Sequence, residues 1–145
     1  MILLWLLHFS MTLFMTGVIW FVQLVHYPLF SEVGPHEFRD YTRLNQMRTS
    51  VVVIPAMLCE LVTGVLLLSL PATLVPRSFL VVNMVLLVLI WLSTFLLQVP
   101  CHSQLLSGYS PKVVGRLVMT NWLRTAGWTA RAVLLFVCMI EWGQG

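Results

Sequence analysis

The chain has 145 residues, of which 59% are hydrophobic and 9% charged, and its mean hydropathy is +0.93. A soluble domain carries roughly a quarter of its residues as charges, so this composition excludes a water-facing surface over most of the chain. The formal charge of +3 comes from eight Lys and Arg against five Asp and Glu; these cations border apolar runs and do not alternate with aromatics, which excludes a nucleic-acid surface.

The first apolar run covers residues 2–26, interrupted only by neutral polar side chains such as His8, Ser10, Thr12 and Gln23. No cation precedes it and it lacks a small-residue cleavage site, so it reads as a retained first helix. His26-Tyr27-Pro28 is expected to close it, because the residue before a proline is pushed out of helical geometry. His8, near the outer end of this helix, has no charged neighbour in the sequence. Residues 32–47 are amphipathic in places, with Phe38, Tyr41 and Leu44 at three-residue steps, and predict a short helix along the membrane interface.

The second run covers residues 51–70 and ends at Pro71; the third covers 78–99 and ends at Pro100. Twenty helical residues span about 30 Å, the thickness of the hydrocarbon core. Pro55, one turn inside the second run, belongs either to a first turn or to a modest kink. A fourth crossing over residues 120–142 requires Arg124 and Arg131 inside the helix, the first able to snorkel to the interface and the second not. Residues 110–119 then form an interfacial lead-in. Gly17 and Gly64 are placed to permit close helix approach. The expected fold is all-α: one integral membrane domain over residues 1–145, a transmembrane four-helix bundle with a short interfacial helix between the first and second spans.

Arg39, Arg43 and Arg48 lie in the first linker and Lys112 and Arg116 in the third, whereas the second holds only Arg77. The positive-inside rule puts the two richer linkers in the cytoplasm and both termini outside, which in a bacterium means the inner membrane. Cys59, Cys101 and Cys138 form no close-spaced pair, so they read as small buried hydrophobes and not as a disulfide framework.

The informative residues are polar groups that a membrane bundle avoids unless it uses them. Glu60 falls near the middle of the second helix, where a carboxylate must be protonated, paired or ligated. His26 ends the first helix, with Gln23 one turn deeper. Gln98 and His102 stand four apart around Pro100. Asn121, Arg124, Trp128 and Arg131, spaced three, four and three, form one stripe on the fourth helix. All four helices thus bring polar side chains to the cytoplasmic half, which predicts a polar pocket. His102, Glu60 and Arg124 are the candidates for catalysis, and His26, Gln98, Asn121, Trp128 and Arg131 for holding a ligand.

Two chemistries fit those residue types. His26, His102 and Glu60 are ligand types for a non-haem iron, copper or zinc site, although no HExxH or ExxH unit accompanies them, and the cofactor stays open. Alternatively, Arg131 pairs with Glu60 while Arg124, Asn121 and His102 present donors to an oxygen that gains charge. That arrangement suits a lipophilic quinone, polycyclic aromatic or isoprenoid lipid, with a histidine moving the proton. A non-catalytic ligand-binding subunit of a larger membrane complex, or a homo-oligomer, would use the same residues.

Four stretches carry a resemblance: WFVQLVHYPLF at residues 20–30, PAMLCEL at 55–61, STFLLQVPCHSQL at 93–105 and NWLRTAGWTAR at 121–131. Together they resemble a group of small four-span bacterial membrane proteins of unassigned function, itself distantly similar to the anthrone-oxygenase-like family. The resemblance implies oxygenation of a reduced polycyclic aromatic, or a related reaction on a hydrophobic substrate, with Gln98, His102, Asn121 and Arg124 at the motif positions.

Overall fold

The computed structural model describes residues 1–71 and 76–143, and every element among the described residues is helical. Helix α1 (Ile2–Phe21) runs through a π turn (Val22–His26) into a 3-10 turn (Pro28–Glu32). Helix α2 (Phe38–Ser69) follows, then α3 (Arg77–Ser93), which passes through a second π turn (Thr94–Gln98) into α4 (Val99–Leu105). Helix α5 (Pro111–Gly143) completes the bundle. Among the described residues, four stretches are long and apolar enough to cross a membrane: Ile2–Glu32, Phe38–Ser69, Arg77–Leu105 and Pro111–Glu141, of 29 to 32 residues each. At 1.5 Å per residue each is about 45 Å long, enough to cross the hydrocarbon core and reach through the headgroups.

These spans extend further than hydropathy alone suggests. The amphipathic stretch before residue 51 is not a separate interfacial helix. It forms the first turns of α2, because no Gly or Pro interrupts residues 38–54 and Phe38 is fully buried. The Phe38 ring anchors that end edge-on against Phe30 and Tyr109, at centroid distances of 6.2 and 5.1 Å. Residues 111–119 likewise belong to α5.

Helix α2 ends at Ser69, just before Pro71, as expected, but Pro28 and Pro100 do not terminate their helices. Proline lacks an N–H and crowds the carbonyl four residues earlier. Here each crowded turn widens instead of breaking: Tyr27 N–H donates to the Val22 carbonyl five residues back at 3.0 Å, and Val99 N–H reaches Thr94 in the same way. Tyr27 and Val99 keep right-handed helical geometry, so the helix resumes through Pro28 and Pro100. Such π turns recur at functional sites because they re-aim side chains.

Helix α5 packs against α1 and α3, and α2 packs against α1, while α2 and α3 meet much more sparsely. Two apolar clusters fill the interior. One gathers Met15, Ile19, Phe30, Phe38, Leu105 and Leu117; the other, at the opposite end, gathers Trp5, Phe9, Leu67, Leu80, Leu135 and Cys138. Outward faces carry Phe14, Val62, Val85, Leu89 and Phe136 exposed, as a lipid-facing surface requires. Close approach falls at Gly64, where a Cβ would meet the Met84 sulfur and His8, and at Gly127, where it would lie 2.8 Å from Ile90 Cγ1. Gly17 has open space around it. The cysteines are free, with Cys101 and Cys138 buried.

Candidate functional site

The polar residues of the bundle divide into a sealed cluster and a lipid-facing cleft. Glu60 and Arg131 form the sealed cluster's centre. They are paired directly, and neither side chain has any exposed surface. The other contacts satisfy the pair almost completely. Glu60 Oε1 also accepts from the Thr12 hydroxyl at 2.9 Å, and Oε2 accepts from the Trp128 indole N–H at 3.1 Å. Arg131 Nε and Nη2 both donate to Asn83 Oδ1 at 3.2 Å. His8 joins through Thr63 Oγ1 at 2.8 Å and Asn83 Oδ1 at 3.2 Å, and its ring lies 3.4 Å from Arg131 Nη2. Every span supplies a member, so the cluster ties the four spans together.

The cleft lies on the other side of Trp128. It encloses about 480 Å³ between the first three spans, with Arg124 reaching in from α5. Met15, Ile19, Val53, Met57 and Trp91 line its walls. Its rims, Ile54 and Leu58 on α2 and Phe95 and Val99 opposite, are exposed on the outer face of the bundle. The cleft therefore opens sideways along the sparse α2–α3 seam, between exposed apolar side chains. The volume and the largely apolar lining match a site for a small lipophilic molecule.

Polar groups gather at one end of this cleft, delivered by the two π turns and by the stripe on α5. His26 closes one π turn and Gln98 the other. The Tyr27 hydroxyl and His102 Nε2 share a hydrogen bond at 3.0 Å. Arg124 Nη1 donates to Asn121 Oδ1 at 3.3 Å, Asn121 Nδ2 donates to Gln23 Oε1 at 2.9 Å, and the guanidinium lies beside the Tyr27 hydroxyl. It also sits over the Trp128 ring, 5.3 Å from the centroid. Gln98 is held by Ser93 and Thr120, each at 3.2 Å.

Of the seven buried side-chain polar atoms without a hydrogen-bond partner among the described residues, four belong to side chains lining the cleft, His26 Nε2, Trp91 Nε1, His102 Nδ1 and Arg124 Nε, whereas Trp5 Nε1, Thr42 Oγ1 and Asn83 Nδ2 lie elsewhere. Each such orphan costs about 1–3 kcal/mol, and most buried polar atoms of folded proteins avoid it. Concentration of orphans around one cavity is the arrangement expected where a ligand supplies the missing partners.

Of the residues singled out from sequence, His26, Gln98, His102 and Arg124 line the cleft, and Asn121 backs Arg124. Trp128 bridges the two assemblies, with its ring under Arg124 and its N–H on Glu60. Glu60 and Arg131 stand apart in the sealed cluster. The candidate ligand set of His26, His102 and Glu60 does not assemble: Glu60 spends both oxygens on Thr12, Arg131 and Trp128. Among the described residues, no group of three or more His, Cys, Asp or Glu side chains is placed to hold a metal ion.

Sequence reasoning missed Tyr27 and Trp91 in the cleft and His8, Thr12 and Asn83 in the cluster. His8 does have a charged neighbour, Arg131, contributed from a different span. The available signal was the four-residue spacing of His8 and Thr12, which puts them on one helical face, and a lone Asn83 inside an otherwise apolar run.

No family model matches the chain, and neither a curated protein nor a solved structure does.

Proposed function

We propose that the bundle admits a lipophilic aromatic, quinone-like or isoprenoid-like molecule sideways from the bilayer and acts on it as an oxidoreductase or oxygenase. The carrying observation is Arg124, a buried guanidinium with no carboxylate partner among the described residues, at the polar end of a cleft with an apolar mouth. A fixed cation in a water-poor site stabilises an oxygen that gains negative charge during reaction. His102, oriented by Tyr27, is the group to take the proton. His26 and Trp91 face the same space and orient the substrate, and Gln98 and Asn121 hold the surrounding helices and Arg124 in place.

The resemblance to the anthrone-oxygenase-like family supports one form of this chemistry. A ring methylene next to an activated carbonyl loses a proton to His102, and its enolate oxygen is held by Arg124. Dioxygen then oxidises that carbon to a carbonyl, consuming one O2 and releasing one water. Glu60 and Arg131 take no part in these steps and hold the bundle together.

Gentle extraction of tagged protein, with mass spectrometry of proteins and small molecules, tests this reading. We expect one aromatic or quinone-type molecule per chain and no second protein at equal abundance. A reproducible large partner at equal abundance would replace the enzyme with a non-catalytic accessory subunit.

We further propose that the protein sits in a bacterial inner membrane with the cleft in the cytoplasmic half, because Arg39, Arg43, Arg48, Lys112 and Arg116 mark that side. A reporter fused after Gly145 should score as external. A cytoplasmic score would reverse the map and place the cleft in the outer half.

A further inference from the structure

The charges buried in the bundle do not balance. Among the described residues, Glu60, Arg131 and Arg124 are the buried carboxylate and guanidinium groups. Glu60 and Arg131 neutralise one another, which leaves the charge of Arg124 uncompensated. A guanidinium does not lose its proton in proteins, so this charge persists. The groups around it are all neutral: Asn121 Oδ1, the Tyr27 hydroxyl and the face of Trp128. Arg124 is only 6% exposed and its Nε has no partner.

A neutral quinone or ketone would give Arg124 a hydrogen bond and leave its charge unbalanced in a low-dielectric interior. A dianion such as a phosphate monoester would overshoot while His26 and His102 are neutral, because Arg124 is the one Lys or Arg side chain among the described residues that line the cleft. A monoanion cancels the charge. A carboxylate or an ionised phenol or enol also spreads its charge over planar, delocalised oxygens, which suits the flat donor fork of arginine. His102 Nδ1 and His26 Nε2, both without partners at the same end, can complete its hydrogen bonds. The apolar walls and the mouth at Ile54, Leu58, Phe95 and Val99 take the rest of the molecule.

We infer that the cleft selects amphipathic monoanions, binding an ionised carboxyl, phenol or enol group at Arg124 with an apolar body lying toward the α2–α3 opening. This rests on the reading of the cleft as a site for a lipophilic molecule. It narrows the substrate class to acids, among them a ketone whose enolate forms in the cleft when His102 takes its proton, so that Arg124 holds the charge state that reacts.

The test uses the full chain in nanodiscs of zwitterionic lipid, with equilibrium dialysis against two matched pairs and empty discs as the partition control. One pair is an alkylated aryl carboxylate and its methyl ester; the other is a long-chain fatty acid and its methyl ester. Binding of an acid at least about ten-fold tighter than its ester, in either pair, supports the inference. The pair showing it separates a free aromatic acid from a membrane fatty acid. Arg124→Gln should abolish the acid's advantage while ester binding persists. Arg124→Lys keeps the charge and should retain part of the preference, which keeps the test readable if the glutamine variant does not fold. Equal binding of acid and ester to the unmodified chain would overturn the monoanion and leave the lipophilic site standing. No binding of any probe above empty discs would overturn both.

Discussion

Replacing Glu60 by alanine is expected to destabilise the bundle by about 3–5 kcal/mol, since removal of one partner strands a buried charge. Arg131 has no exposed surface from which to recover hydration. The loss also removes the acceptors of the Thr12 hydroxyl and the Trp128 indole N–H, so three donors from two helices lose a partner together. Unfolding of purified protein in detergent, followed by loss of helical signal with heat or denaturant, reads the effect. The double variant Glu60→Leu with Arg131→Met should recover most of the stability, because apolar residues of similar volume often replace a buried pair at little cost. A double variant as unstable as the single one would show that the stranded charge is not the cause. Normal stability of Glu60→Ala with lost turnover would move Glu60 into the catalytic machinery.

The four spans were legible because apolar runs long enough to cross a bilayer have few competing explanations. Their true ends were not. Residues 38–50 hold Arg39, Arg43 and Arg48, and hydropathy falls there although the helix continues into the headgroup zone. The two prolines misled for a related reason. A helix stop is the usual outcome at Pro28 or Pro100, and whether a chain widens into a π turn instead depends on what the following residues pack against. Phe30 and Leu105, both fully buried beyond those prolines, anchor the continuation, and no single-helix pattern reveals that.

The polar stripe on α5 was legible, and so was the pairing of Arg131 with Glu60, since each is too costly in lipid alone. The division into two assemblies was not, because it depends on how the four helices rotate about their axes. Trp128 shows the difficulty. Its position on the stripe suggests a pocket wall, whereas its ring supports Arg124 and its N–H supports Glu60. It makes a partition between a sealed cluster that holds the helices together and a cleft with unmet polar valences. His8 and Asn83 were passed over because each was judged against its own helix, and their partners come from other spans.

Arg124→Leu should separate those two assemblies in one measurement. Its cation has no carboxylate to strand, so the ligand-free protein should unfold no more easily than the unmodified chain, and removal of an uncompensated buried charge favours a more stable fold. The cleft should suffer instead. Loss of one partner from a desolvated, charge-assisted contact costs about 3 kcal/mol, roughly a hundredfold in affinity. Protein extracted from its native membrane should then carry almost none of the small molecule found with the unmodified chain, and turnover should fall at least as far. The contrast with Glu60→Ala is the informative part: one variant should unfold readily, the other should stay folded and empty. Arg124→Leu that loses stability as Glu60→Ala does, yet retains its small molecule, would show that Arg124 belongs to the framework and that the cleft recognises its occupant without it.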